Sequence, residues 1–413
     1  MGRRIFEDAN GEFGGKAEIV YSTSAAVFYQ LIDPTNLYVV GGRATGKTTN
    51  IIADRALRIV KALPGAYFAF VGDTYANLLS NTVPSMIKGW NDLGLEEGKD
   101  YVTNQEPPKH FKKPYKKPLS YKHTISLQNG CFFKLVSMDV VSSAAGDSYQ
   151  HVFGDEVKYL NKQKLDKLFP ANRGERLTYG GSSYYLGKTF TTDMPNVLAV
   201  NEYDWILDQE ENMDPERIEL ILRTSLIVND IKIEMVKAHL NHDINEFIKQ
   251  KRSLYRWNQR LLKVRYDSTL FHTVSSFTNI DNLELRWFEA QLESLGEEVF
   301  KSSILSMKQE IAQGEKFYPK LADHHFYDEG KIIDFFDNYS FGENVDITSR
   351  ALRYIEHNKK LEAGIDFGLM MSMVIGQLQG KYQRILKNIY TLPPKNETDL
   401  AYKFCKFFQH HQY

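Results

Sequence analysis

Nine consecutive residues have the types and spacing to hold a polyphosphate: Gly41, Gly42, Arg43, Ala44, Thr45, Gly46, Lys47, Thr48 and Thr49. The first eight satisfy G-x-x-x-x-G-K-[ST], in which glycines let the backbone curl until its N–H groups point at phosphate oxygens. Lys47 is placed to reach the β- and γ-phosphates of a nucleotide, and the Thr48 hydroxyl to ligate Mg²⁺. Arg43 is an unusual member. Its guanidinium can aim at the γ-phosphate as an arginine finger in cis, or lie exposed and pair with a neighbouring acid.

Two further sets complete such a chemistry. In YQHVFGDEV (149–157) an apolar-leaning strand ends in adjacent carboxylates. At the C-terminal edge of a strand both can reach one crevice, Asp155 to join the Mg²⁺ shell and Glu156 to polarise an attacking water. Such pairs are also common on solvated surfaces, so the pair gains meaning from the glycine loop upstream. In GKTFTTDMPN, Thr191, Thr192 and Asp193 end another strand. Small hydroxyls there can sense a γ-phosphate, or simply form a turn before Pro195.

The elements that must position these groups are legible around them. LYVV reads as a buried strand entering the loop, and NIIADRALRIVKAL places Ile51, Ile52, Ala56, Leu57 and Val60 at helical spacing after it. Tyr67–Val71 reads as a second strand, and HTISLQNGCFFKLVSM as a hairpin turning at Asn129-Gly130. At 413 residues the chain is long enough for two or three domains. With 42% apolar and 25% charged residues, and no run near the roughly 20 apolar residues that cross a bilayer, the expectation is a globular protein off the membrane. Cys131 and Cys405 form no metal pattern and fit a reducing cytoplasm. The net charge of −1 confines any nucleic-acid contact to local basic patches.

These residues resemble the large terminase subunit of tailed bacteriophages, a DNA-packaging motor. GGRATGKT is similar to that family's glycine loop, arginine included. NGCFFKLVSMDVVSSAAGDSYQHVFGDEV, with Gly146 ahead of the acids, is similar to its approach to the acidic strand. FTTDMPN is similar to its coupling motif, carried onto Thr191, Thr192 and Asp193, and GEKFYPKLADHHF to its segment between motor and nuclease. One departure is that the strand around Phe70 runs into Gly72-Asp73 where the family often has an arginine. Arg173 and Arg176 stand as substitutes for a trans-acting finger.

The resemblance implies an α/β P-loop NTPase of the RecA/ASCE type with a mostly parallel sheet, a helical linker, and an RNase H-like nuclease cutting DNA with two metal ions. It implies ATP with Mg²⁺, and Mg²⁺ or Mn²⁺ for the nuclease. Its partners would be double-stranded DNA, a portal protein ring and a small terminase subunit, with the chain itself in a homo-oligomeric ring. The place would be the host cytoplasm, with transient docking on a procapsid. The expected division is 1–204 for the ATPase, 205–345 for a mainly helical lid and linker, and 346–413 for an incomplete nuclease domain. The competing functions are a RecA-like helicase or other DNA-dependent ATPase, and a nucleotide-dependent switch that moves no DNA.

The C-terminal region can be read on its own. LEAGIDFGLMMSMVIGQLQGKYQRILKNIYTL reads as three strands with a turn at Gly380-Lys381, and Asp366 lies within the first. A carboxylate in an apolar strand is costly unless it binds something, and a metal is the expected partner; the alternative is an edge-strand Asp facing water. The resemblance makes Asp366 the first nuclease carboxylate. Two-metal cleavage needs several carboxylates around ions about 4 Å apart. The acids that follow, Glu397 and Asp399, fall on a segment that reads as a helix capped by Asn396 or Thr398. The expectation is a chain that stops inside its nuclease domain. Two basic stretches suit DNA: the lysine loop PPKHFKKPYKKPLSYKH (107–123) and the helix NEFIKQKRSLYRWNQRLLKVRY (245–266), although either can be a solvated excursion. FYDEGKIIDFFDNYSFGENVDITSRAL (326–352) reads as the interdomain connection.

Overall fold

The computed structural model describes residues 22–139, 147–196, 202–308, 330–340, 342–367, 371–392 and 395–411. Gly146 and the segment 314–326, singled out above, lie outside them.

The strands are β1 (Asn36–Gly41), β2 (Tyr67–Gly72), β3 (Tyr101–Thr103), β4 (Thr124–Leu127), β5 (Phe132–Ser137), β6 (His151–Gly154), β7 (Gly187–Thr192) and β8 (Thr269–Val274). Among the described residues they form one sheet in the order β3-β4-β5-β2-β6-β7-β1-β8. The pairs from β5 to β8 are parallel, while β3, β4 and β5 pair antiparallel. The strand β7 separates the phosphate-loop strand β1 from the acidic strand β6. With helices on both faces, this is a P-loop NTPase fold of the RecA/ASCE kind.

Parallel strands buried on both faces need near-continuous apolar runs, and β2, YFAFVG, is buried along its whole length. Phe68, Phe70, Phe133 and Phe153 pack on one face with helices α1 (Ala53–Ala62) and α2 (Val83–Asp92), whose Trp90 is fully buried. Tyr67, Ala69, Val71, Phe132 and Phe190 pack on the other, against Trp205 and Ile206. Each such side chain contributes about 1.5–3 kcal/mol by leaving water.

Two long helices follow the main run of strands. Helix α3 (Pro215–Leu240) starts with Pro at its first position and Asp214 accepting from Arg217 N–H; α4 (Ile244–Arg265) starts with Asp243 accepting from Glu246 N–H. Together they form an antiparallel hairpin. The chain then returns to the sheet as β8, whose six residues all pair with β1. This strand stands within a mainly helical region: TLFHTV is a short mixed run, and its extended form goes with its pairing to a distant strand. Helix α5 (Ile280–Leu295) follows it.

The connection is not a free tether. Phe336 is buried against Tyr75, Asp337 lies 2.9 Å from Lys122 Nζ and 3.0 Å from His123 Nε2, and Lys331 pairs with Asp139 at 2.8 Å. Beyond it stands a separate antiparallel sheet, β11-β10-β9, of β9 (Glu362–Phe367), β10 (Met371–Gln379) and β11 (Tyr382–Thr391). Its inner face packs on helix α6 (Glu397–Phe407) through Met373, Ile375, Ile389, Leu400 and Phe407. This is a partial second α/β unit.

Candidate nucleotide site

The loop between β1 and α1 has the form its sequence requires. Gly46 takes φ +76°, a left-handed conformation that favours glycine, and a Cβ on Gly42 would collide with the Ile304 carbonyl and the Ser276 hydroxyl. The turn leaving the loop, Lys47–Ile52, is a π turn in which Ile51 N–H reaches Gly46 O at 3.1 Å. Thr45 Oγ1 donates to Gly42 O at 2.8 Å and closes the loop on itself. Thr49 is half-buried within the turn, its carbonyl lying where a Cβ on Gly89 would stand.

The sequence gives no hint of what clamps this loop from outside. Gly42 N–H donates to Val274 O at 2.9 Å and Arg43 N–H to Ser303 O at 2.7 Å. In return Ser276 Oγ donates to Arg43 O at 2.6 Å and Asn279 Nδ2 to Ala44 O at 2.7 Å. All four partners lie on or after β8.

At the C-terminal ends of β1, β6 and β7 the expected side chains converge. Lys47 Nζ is buried and donates to Gly41 O at 2.9 Å, to Gly42 O at 3.3 Å and to the Asp193 carboxylate. Burial works against its charge, but Asp193, Glu156 and Asp155 outweigh burial and hold the ammonium above its ordinary pKa. Thr48 Oγ1 donates to Asp155 Oδ2, and Thr191 Oγ1 donates to Asp155 Oδ1 at 2.6 Å. Thr192 Oγ1 accepts from Lys158 N–H at 3.2 Å, so β7 is tied to the turn after the acid pair. Arg43 is half-exposed, with Nε 4.0 Å from Asp193 Oδ2.

Glu156 is the strained member. It takes φ +51°, uncommon for a residue with a Cβ, and its N–H donates to Asp155 Oδ1 at 3.0 Å. Its Oε2 is buried without a hydrogen-bond partner among the described residues. Burial, then the Asp193 and Asp155 charges, push its pKa up to about 7, against the pull of Lys47 and Lys158.

The arrangement fits a nucleoside triphosphate with Mg²⁺. It has a cradle that only glycine permits, a buried lysine held by groups that phosphate can replace, a hydroxyl–carboxylate pair, and an unpartnered carboxylate oxygen. Mg²⁺ is ordinarily held by one or two carboxylates plus substrate phosphates and waters, a need that Thr48 and Asp155 can meet.

Other candidates fall elsewhere. Arg173 and Arg176 are exposed beside Gly174, whose N–H bonds Tyr149 O just before β6, so they lie at the sheet end opposite the phosphate loop. The lysine loop is also at that end, pinned by Tyr115 N–H to Gly65 O and Lys112 N–H to Gln128 O, both 2.9 Å. Asp366 stands on the edge strand β9, which is exposed along its whole length. The burial cost argued for it from sequence therefore does not arise. Among the described residues no group of three or more His, Cys, Asp or Glu side chains is disposed to hold a metal. Asp399 accepts from Asn396 N–H in a capping box, a helix-starting role. No helix among the described residues is long and apolar enough to cross a membrane.

No protein-family profile and no curated protein sequence matches the chain. Among solved structures it is similar to the large terminase of a thermophilic bacteriophage in complex with ADP, at 11% identity over 94% of this chain and 74% of that one, with a TM-score of 0.42. It is also similar to the large terminase ATPase domain of Thermus phage P74-26, at 11% identity over 69% of this chain and 99% of that one, with a TM-score of 0.35.

Proposed function

We propose that the chain is an ATP-driven motor that moves double-stranded DNA, of the large-terminase kind that its motifs resemble. The observation that supports this is the meeting of Lys47, Thr48, Asp155, Glu156, Thr191 and Asp193 at the ends of three neighbouring strands. In this reading Thr48 and Asp155 hold Mg²⁺, which supplies charge neutralisation on the phosphate oxygens. Glu156, with its pKa near neutrality, takes a proton from water. Lys47 exchanges the Asp193 carboxylate for phosphate oxygens, and Arg43 can turn from Asp193 towards the same charge. Asp193, released, couples the exchange to β7, and Thr192 and Lys158 carry it to the turn beyond the acid pair.

The portal ring, the small subunit, a ring of copies and docking on a procapsid belong to the same proposal. Asp366 enters it as a candidate ligand for Mg²⁺ or Mn²⁺ in a nuclease unit, and Mn²⁺ titration of Asp366→Ala checks it: an isotherm equal to that of the parent protein rejects the site. For the motor, Lys47→Ala should lower ATP turnover by a hundredfold or more, roughly the loss expected when a charge clamp on the transferring group goes. Turnover at the parental rate would remove the assignment.

A further inference from the structure

The hairpin of α3 and α4 carries a surface that the nucleotide site does not use. Helix α4 exposes Lys249, Lys251, Arg252, Arg256, Arg260 and Lys263, against one acid within the helix, Glu246. At 3.6 residues per turn the steps Lys249, Arg252, Arg256, Arg260, Lys263 fall on one face. The opposite side, with Leu254, Trp257, Leu261 and Val264, packs into the core. The basic face therefore points to solvent.

Charged helix faces normally balance themselves, and α3 does so with Arg223–Glu219 at 2.5 Å and Lys237–Glu234 at 2.7 Å. On the exposed side of α4 Lys249 pairs with Glu246 at 3.0 Å and Arg260 lies over the Trp257 ring at 4.6 Å, while Arg265, the last residue of the helix, turns inward to Asp33 at 3.7 Å. Lys251, Arg252, Arg256 and Lys263 have no acidic partner among the described residues. In a chain of net charge −1 this is a local concentration of unmatched cations. From Lys249 to Lys263 it runs about 21 Å, a length over which a duplex presents roughly a dozen phosphates. Single-strand binding would want a row of exposed aromatic rings, and of the aromatic residues in α4 only Tyr255 is exposed.

We propose that this face of α4 grips the phosphate backbone of a DNA duplex, without regard to base sequence. The inference rests on the DNA-motor reading above and assigns the surface that meets the DNA. The test is a salt titration of the full chain with a short fluorescent duplex of random sequence. Replacing three cations, Arg252→Gln with Arg256→Gln and Lys263→Gln, should flatten the slope of log K against log salt by about 2.7, at 0.9 per phosphate contact. Arg252→Lys with Arg256→Lys should keep the parental slope. ATP turnover without DNA and the circular dichroism spectrum should be unchanged in both, since the side chains are exposed.

An unchanged slope in the glutamine variant, with parental binding intact, would overturn this surface and leave the motor reading standing. Absence of duplex binding by the parent at low salt would sink the motor reading itself. A loss on phosphatidylserine vesicles without a loss on the duplex would assign the face to a membrane and overturn the proposal, as would a loss confined to single strands.

Discussion

Two polar constellations share one face of the main sheet, one at each end of β6 and β7, and they are built to opposite ends. His151 opens β6 and Asp155 follows its last residue; Thr189 and Thr191 stand two apart on β7. At the end away from the phosphate loop, Asp33 sits within 2.7 Å of Arg55 Nη1, 2.5 Å of Arg58 Nη1 and 3.7 Å of Arg265 Nη1, and accepts the Tyr184 hydroxyl. Every nitrogen of Arg55 donates: Nε to Thr189 Oγ1 at 2.9 Å, Nη1 to Asp33, Nη2 to Thr35 O at 3.2 Å and to Pro34 O. His151 closes the set between Tyr184 O at 2.8 Å and Thr189 Oγ1 at 2.9 Å. At the loop end, by contrast, three carboxylates surround the buried Lys47, and among the described residues Glu156 Oε2 has no hydrogen-bond partner. A closed network fixes strands, whereas an open one keeps capacity for a ligand.

The contrast can be broken at the closed end first. Asp33→Ala leaves three guanidiniums without their shared carboxylate and should cost about 3–5 kcal/mol, read as a shifted denaturant midpoint. Nucleotide affinity of the folded protein should move far less. A cost below 1 kcal/mol would show that the closed network does not hold the sheet.

The two ends should also respond to pH with opposite sign. Burial, then the Arg55 charge, press the His151 pKa down to about 3, so the unfolded chain takes up a proton that the folded one refuses. Its contribution is complete above the unfolded value near 6.5 and fades as pH falls towards 3. At pH 4 the loss is roughly 3 kcal/mol, and His151→Gln should flatten it. Glu156, raised to about 7, works the other way: folding keeps a proton that the unfolded chain releases above about 4.5. Nucleotide-free protein therefore loses stability as pH rises from there through 7. Glu156→Gln should be more stable than the parent at pH 8 by about 2 to 3 kcal/mol and no more stable at pH 4. Parallel pH profiles for the two variants would end the distinction.

How much of this the sequence disclosed follows the range of the contacts. The glycine loop, its strand and its helix are neighbours along the chain, so the left-handed turn at Gly46 and the start of the helical turn at Lys47 follow from local order. Asp155 and Thr191 stand at the C-terminal ends of neighbouring parallel strands and Thr48 in the turn that follows the loop, so their meeting at one sheet edge comes from the topology, and the hydrogen bonds between them are not legible in the sequence. The Asp33 network was not legible: Asp33, Arg55 and Arg58 of α1, and Arg265 at the end of α4 become one cluster only in the tertiary fold. The clamp on the loop was hidden for the same reason, as Ser276 and Arg43 are 233 positions apart. Asp366 shows the same limit: its sequence allows a buried strand or an edge facing water, and only the tertiary fold makes β9 the exposed edge.

The return of the chain as β8 has a consequence for biogenesis. When β7 has left the ribosome, β1 has a neighbour on one side only, and the amides of Gly42 and Arg43 still lack the carbonyls of Val274 and Ser303. Long-range strand pairing is slow because the intervening chain must close on itself first. A nascent chain that already holds Lys47, Thr48, Asp155, Glu156, Thr191 and Asp193 therefore still lacks the outer clamp of its glycine loop, which is complete only once synthesis has passed Ile304.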